Sequence, residues 1–141
     1  MDIRKAQALR DILKDAALLK EKCYIDGKWV GGKTTIDVTN PATGAVLGTI
    51  PKMGAAETAD AIEGARVAQK EWAAKTAKER HAIMIKWYNL MMENQAALGE
   101  LLTLEQGKPL AEAKGEIGYG ASFIELSNRT IASSPPRGKF G

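Results

Sequence analysis

A chain of 141 residues, 45% hydrophobic and 26% charged, carries enough apolar content to close one core and is too ordinary in balance for a fibrous or globally disordered class. Its formal charge of +3 comes from basic residues interspersed with acidic ones, which argues against the clustered basic face of a nucleic-acid binder. No run approaches the roughly 18 uninterrupted apolar residues of a membrane span, and a single cysteine and a single histidine exclude an intrachain disulfide and a zinc site built from several such ligands.

Residues 1–22 place Leu9, Leu13, Ala16 and Ala17 at helical spacing among charged residues, so an N-terminal helix is expected there. Asp2, Asp11 and Asp15 count against a transit peptide, and the stretch lacks the apolar core of a secretory signal. With the lone cysteine, this points to a reducing, cytoplasmic setting. From Cys23 the period changes. Tyr24, Ile25, Trp29 and Val30 flank Asp26-Gly27, a pair suited to a tight hairpin. Thr34 to Thr39 reads as a further strand, Asn40-Pro41-Ala42-Thr43-Gly44 as a turn, and Ala45 to Ile50 as a returning strand stopped by Pro51. A small antiparallel β-meander is the expectation.

Gly54-Ala55-Ala56-Glu57 opens a helix whose Ala61, Ala65, Ala68 and Trp72 line one face, smooth enough for a neighbouring helix to approach. Thr76-Ala77-Lys78-Glu79 then has the capping-box form of a helix start. Ile83, Met84, Trp87, Leu90, Met91, Leu98, Leu101 and Leu102 follow at three- and four-residue spacing, which predicts one long helix with a wide core face. Gly107 should end it in the left-handed region, and Pro109 should begin another helix burying Leu110, Ala113, Ile117, Ala121 and Ile124. Gly115, Gly118 and Gly120 weaken that last helix, which therefore needs tertiary support. After Glu125, small polar residues and Pro135-Pro136 predict a disordered tail over 126–141.

Few residues suggest chemistry on their own. Cys23 has no histidine near it in sequence and reads as structural rather than nucleophilic. His81, in the first turn of the long helix, reads as a solvated residue, and Lys108 as a cap for the preceding carbonyls. Glu105 is disfavoured by the helix dipole at a C-terminus, so a loop N–H or a cation should hold it. Gly31-Gly32-Lys33-Thr34-Thr35 lacks the first glycine of a phosphate-binding loop, and no G-x-G-x-x-G follows a strand.

Three segments taken together are more informative. Tyr24-Ile25-Asp26-Gly27-Lys28-Trp29, Val38-Thr39-Asn40-Pro41-Ala42-Thr43-Gly44 and Leu104-Glu105-Gln106-Gly107-Lys108-Pro109-Leu110, in this order and separation, resemble the N-terminal part of the aldehyde dehydrogenase superfamily. Asn89 to Glu93 and Thr103 to Ile117 are similar to its succinate-semialdehyde dehydrogenase branch. The resemblance implies an α/β fold whose N-terminal part is built as above, with residues 23–125 belonging to a cofactor-binding domain and the parallel nucleotide-binding sheet absent from this chain.

It further implies a parent enzyme that oxidises a small aldehyde through a cysteine thiolate, hydride transfer to NAD or NADP, and hydrolysis of a thioester. The parent would be a homo-oligomer. The nucleophile, the water-activating glutamate and the oxyanion-hole asparagine fall, in that family, beyond the matching stretch. No catalytic or cofactor-binding residue is therefore expected in this chain, which should be a truncated segment, inactive alone. Some family members also hold a monovalent cation at positions matching the Val38 and Thr39 carbonyls and the Glu105 carboxylate. With the sheet missing, Trp87, Leu98, Leu101 and Ile117 should form an apolar patch prone to self-association. The competing reading is a non-catalytic helical module that binds a partner through that surface.

Overall fold

The computed structural model describes residues 20–133, with side chains through Leu126. Most of the expected N-terminal helix thus lies outside the described residues. Four strands and four helices follow: β1 (Cys23–Ile25), β2 (Lys28–Val30), β3 (Thr35–Thr39), β4 (Val46–Pro51), α1 (Ala55–Ala74), α2 (Ala77–Glu93), α3 (Gln95–Gln106) and α4 (Leu110–Ser133).

The expected meander is instead two separate antiparallel pairs, β1 with β2 and β3 with β4. Asp26 and Gly27 both take positive φ, 48° and 73°, as a two-residue hairpin with the strands' natural twist requires. β1 and β2 are only three residues long. Pro51 ends β4 from within, paired with Thr35.

The long helix divides at Asn94, whose φ of −104° and ψ of 10° leave the α region. Its side-chain amide donates to the Leu90 carbonyl at 2.8 Å, and its own carbonyl accepts from Leu98 N at 2.9 Å. One residue thereby closes α2 and opens α3. The start of α2 matches the sequence reading: Glu79 N donates to Thr76 Oγ1 at 3.3 Å, and Thr76 N donates back to Glu79 Oε2 at 2.7 Å. The Thr76 hydroxyl and then its backbone amide hold the Glu79 carboxyl below its ordinary pKa.

α2, α3 and α4 pack together, whereas α1 touches its neighbours only slightly and has no buried residue. The alanine face of α1 is accordingly uncovered at Ala65 and Ala68. Among the described residues the buried apolar core is Ala97, Ala113 and Ala121, joined by Gly99. Small side chains let α3 and α4 approach closely. A Cβ on Gly99 would stand 2.6 Å from Lys114 Cγ and 3.1 Å from the Lys114 backbone N and Cα. Gln95 Nε2 donates across the same crossing to the Lys114 carbonyl at 3.0 Å.

This geometry corrects several expectations. Ile83, Trp87 and Leu90 are exposed, the inward side of α2 being Met84, Tyr88 and Met91. Leu110 is exposed, while Ala113 and Ala121 are buried as expected and Ile117 and Ile124 half-buried. α4 also continues as helix to Ser133, past the point where disorder was expected; the remainder of that tail lies outside the described residues.

Candidate functional site

The three positions expected to offer oxygens to a cation, Val38, Thr39 and Glu105, come from two elements. Val38 and Thr39 end β3, where the register slips: Val38 faces Gly48, but Thr39 faces Val46. Leu47 is the extra residue of a β-bulge, a device that sharpens twist and re-aims the backbone. Next to it, Thr49 donates to Glu21 Oε1 through its backbone N at 2.7 Å and its hydroxyl at 3.1 Å, tying the segment before β1 to β4.

The Asn40–Gly44 turn then closes on itself. Asn40 Oδ1 accepts from Ala42 N, the Asn40 carbonyl accepts from Gly44 N, and Asn40 N donates to the Ala45 carbonyl, each at 2.8 Å. Gly44 sits at φ +68°.

Glu105 lies one residue from the end of α3. Gly107, at φ +78°, ends that helix by donating to the Thr103 carbonyl at 2.8 Å. A Cβ there would fall 3.0 Å from Pro41 Cγ. The Gly-Lys-Pro corner therefore rests on the Asn-Pro turn, and the helix end carrying Glu105 is brought to the end of β3 carrying Val38 and Thr39. The contact shown is Gly107 on Pro41. Glu105 itself is exposed, and no hydrogen-bond donor among the described residues reaches its carboxylate. The loop N–H expected to hold it does not do so.

The other candidates lie elsewhere. Lys108 Nζ forms an ion pair with Glu116 on α4 instead of capping α3, so it bridges the corner to the next helix. His81 is half-buried rather than solvated, its Nδ1 without a hydrogen-bond partner among the described residues, as is Thr103 Oγ1. Cys23 is a half-buried free thiol opposite Val30 in β1. No group of three or more His, Cys, Asp or Glu positioned for a metal occurs among the described residues, and no described helix is long and apolar enough to cross a membrane.

Both described sheets are two-stranded and antiparallel, and the Gly31-Gly32 loop is used for close packing: a Cβ on Gly32 would meet Pro51 Cβ and the Thr34 carbonyl at 3.0 Å. Sequence reasoning found Gly107 and the Asn-Pro turn but missed their contact, the Leu47 bulge and the Gly99–Lys114 crossing. The glycine among the apolar residues Ala96, Ala97, Leu98, Leu101 and Leu102 of α3 was the available signal for the last.

Comparison with known proteins extends this picture. The chain is 60% identical over 115 residues to glutarate-semialdehyde dehydrogenase of Pseudomonas putida strain KT2440, covering 80% of this chain and 24% of that protein. It is 56% identical over 115 residues to the NADP-dependent succinate-semialdehyde dehydrogenase of Escherichia coli K12, with the same shares. A crystal structure of an NADP-dependent enzyme of E. coli superposes with a TM-score of 0.83 at 49% identity, over 90% of this chain and 28% of the other. The chain thus spans about a quarter of the length of the curated relatives it matches. Residues 29–136 match the Aldehyde dehydrogenase family, and the chain belongs to that family.

Proposed function

We propose that residues 23–125 are the N-terminal part of the cofactor-binding domain of an NAD(P)-dependent dehydrogenase that oxidises a short semialdehyde, of the succinate or glutarate type, to the dicarboxylate. The 60% identity to a glutarate-semialdehyde dehydrogenase carries this reading. The part played by this segment is architectural. Its three packed helices form a layer, and its β3–β4 pair fixes the Asn-Pro turn against the corner after α3. In this reading it supplies no nucleophile, Cys23 being a strand residue paired with Val30. A cytoplasmic home and an oligomeric parent belong to the same reading.

The test is a chimera in which residues 23–125 replace the matching segment of the E. coli succinate-semialdehyde dehydrogenase. It is expected to retain NADP reduction with succinate semialdehyde within about tenfold of the parent, a barrier change of about 1.4 kcal/mol or less. The 141-residue chain alone is expected to give none, with or without Cys23→Ser. A folded but inactive chimera would overturn the assignment, as would activity of the chain that vanished with Cys23→Ser.

Within that reading, Val38, Thr39 and Glu105 hold no cation in this chain, and their elements meet through Gly107 on Pro41. Hard cations collect about six oxygens, whereas only three donors are in prospect here and Glu105 is exposed. Replacing sodium by choline at constant ionic strength should move the chain's thermal midpoint by less than about 1 °C, since an ion bound only to the folded state would raise it. A sodium-dependent rise of several degrees would restore the cation.

A further inference from the structure

Among the described residues the sheet that holds β4 contains only β3 and β4. Asp37 faces Thr49 and Thr35 faces Pro51, and one step further Lys52 N donates to the Thr34 carbonyl at 2.9 Å. Hydrogen-bonded and non-hydrogen-bonded pairs alternate along an antiparallel ladder, so the main-chain groups of Thr49 and Pro51 point away from β3. Such an edge is a template for another strand. This one runs through Ala45-Val46-Leu47-Gly48-Thr49-Ile50, an uncharged segment rich in strand-forming residues, with Val46 and Ile50 exposed.

Both outward positions are closed. Pro51 has no N–H to offer and is buried, a Cβ on Gly32 falling 3.0 Å from its own Cβ. At Thr49 the donor is taken by Glu21, whose Oε1 accepts from the backbone N at 2.7 Å and from the hydroxyl at 3.1 Å. A Cβ on Gly48 would stand 3.2 Å from the same oxygen, so the bare backbone there leaves room for the carboxylate. A bond from an N–H to an ionised carboxylate is stronger than a neutral one, and a strand arriving at this edge must displace it. Two residues after Glu21 the chain enters β1, which anchors the carboxylate from the neighbouring strand pair.

We propose that Glu21 is a stop on the outer edge of β4, and that its removal opens this edge to β4 of a second copy of this chain, paired antiparallel about Thr49. A two-fold axis there sets Thr49 opposite Thr49, each offering an N–H and a carbonyl outward. No charged side chain opposes it within the segment. The outer edge of β3 has no such option, because two-fold pairing about the exposed Asp37 sets two carboxylates against each other.

The test compares the 141-residue chain with its Glu21→Ala and Glu21→Gln variants by sedimentation velocity, and follows amide hydrogen exchange at Thr49 over a range of chain concentrations. Glu21→Ala is expected to raise the self-association constant at least about tenfold, with protection of the Thr49 amide that grows with concentration. Glu21→Gln keeps an oxygen acceptor and should stay within about threefold of the unaltered chain. Unchanged association of Glu21→Ala overturns the proposal. So does stronger association that leaves Thr49 exchange indifferent to concentration, which would place the contact on the helices. Equal association of the two variants would make Glu21 a repelling charge, and loss of the helical circular dichroism signal in Glu21→Ala would make it a structural tie; either result also removes the stop. The function proposed above is untouched by these outcomes, since its chimera begins after Glu21.

Discussion

Gly99→Ala is expected to destabilise the chain by up to about 2 kcal/mol net, although alanine is normally the better residue inside a helix. The exchange should gain about 0.8–1 kcal/mol in helix propensity. Against that, the new methyl would lie 2.6 Å from Lys114 Cγ and 3.1 Å from two backbone atoms of Lys114. The Cγ is the root of the lysine side chain rather than its free end, and the backbone cannot retreat without moving α4. Overpacking of this kind costs about 1–3 kcal/mol. Separation of α3 from α4 would also stretch the Gln95–Lys114 hydrogen bond and loosen the contact that buries Ala113 completely. Gly115→Ala is the matched control, because a Cβ at Gly115 meets nothing within 4 Å and should yield the propensity gain of about 0.8–1 kcal/mol unopposed. Urea unfolding followed by helical circular dichroism reads both. If the two variants shift the midpoint equally upward, the close crossing of α3 and α4 is not a feature of the folded chain.

The contrast between those two glycines also marks what the sequence could reveal. Local chemistry was legible: Thr76 and Glu79 announce a helix start because their side chains satisfy N–H groups only a few residues away, and Asp26-Gly27 announces a hairpin because few other pairs tolerate positive φ twice. The α2–α3 break was half-legible. Asn94 is a good terminator, but the apolar spacing running across it matched a continuous helix, and the bend depends on an amide that turns back to Leu90. Partnering was not legible. Ile83, Trp87 and Leu90 have core spacing, and periodicity identifies an apolar face without saying whether the covering surface lies within the same stretch of chain. The candidate site divides in the same way. Val38, Thr39 and Glu105 were found by resemblance and Gly107 by its capping role, whereas the contact of Gly107 with Pro41 joins residues 66 positions apart in numbering, a relation that no local pattern encodes.

That long-range contact gives the second large effect. Gly107→Ala is expected to cost about 2–4 kcal/mol from two additive sources. Forcing an L-residue to φ +78° costs roughly 1–2 kcal/mol, because its Cβ crowds the following carbonyl. The same Cβ would stand 3.0 Å from Pro41 Cγ, part of a ring that has no rotamer by which to withdraw. Gly44→Ala separates the two: its φ is +68° but nothing lies within 4 Å of its would-be Cβ, so only the strain, about 1–2 kcal/mol, should appear. Placing Gly107→Ala in a Pro41→Ala background should relieve the crowding and bring its cost down to that of Gly44→Ala, the remainder being the coupling energy of the pair. In the chimeric enzyme, the corner displaced by Gly107→Ala should shift the end of α3 from the end of β3 and lower the thermal midpoint more than Gly44→Ala does. Equal costs for the two alanines, with no relief from Pro41→Ala, would mean that the corner after α3 does not rest on the Asn-Pro turn and that Glu105 is not held beside Val38 and Thr39.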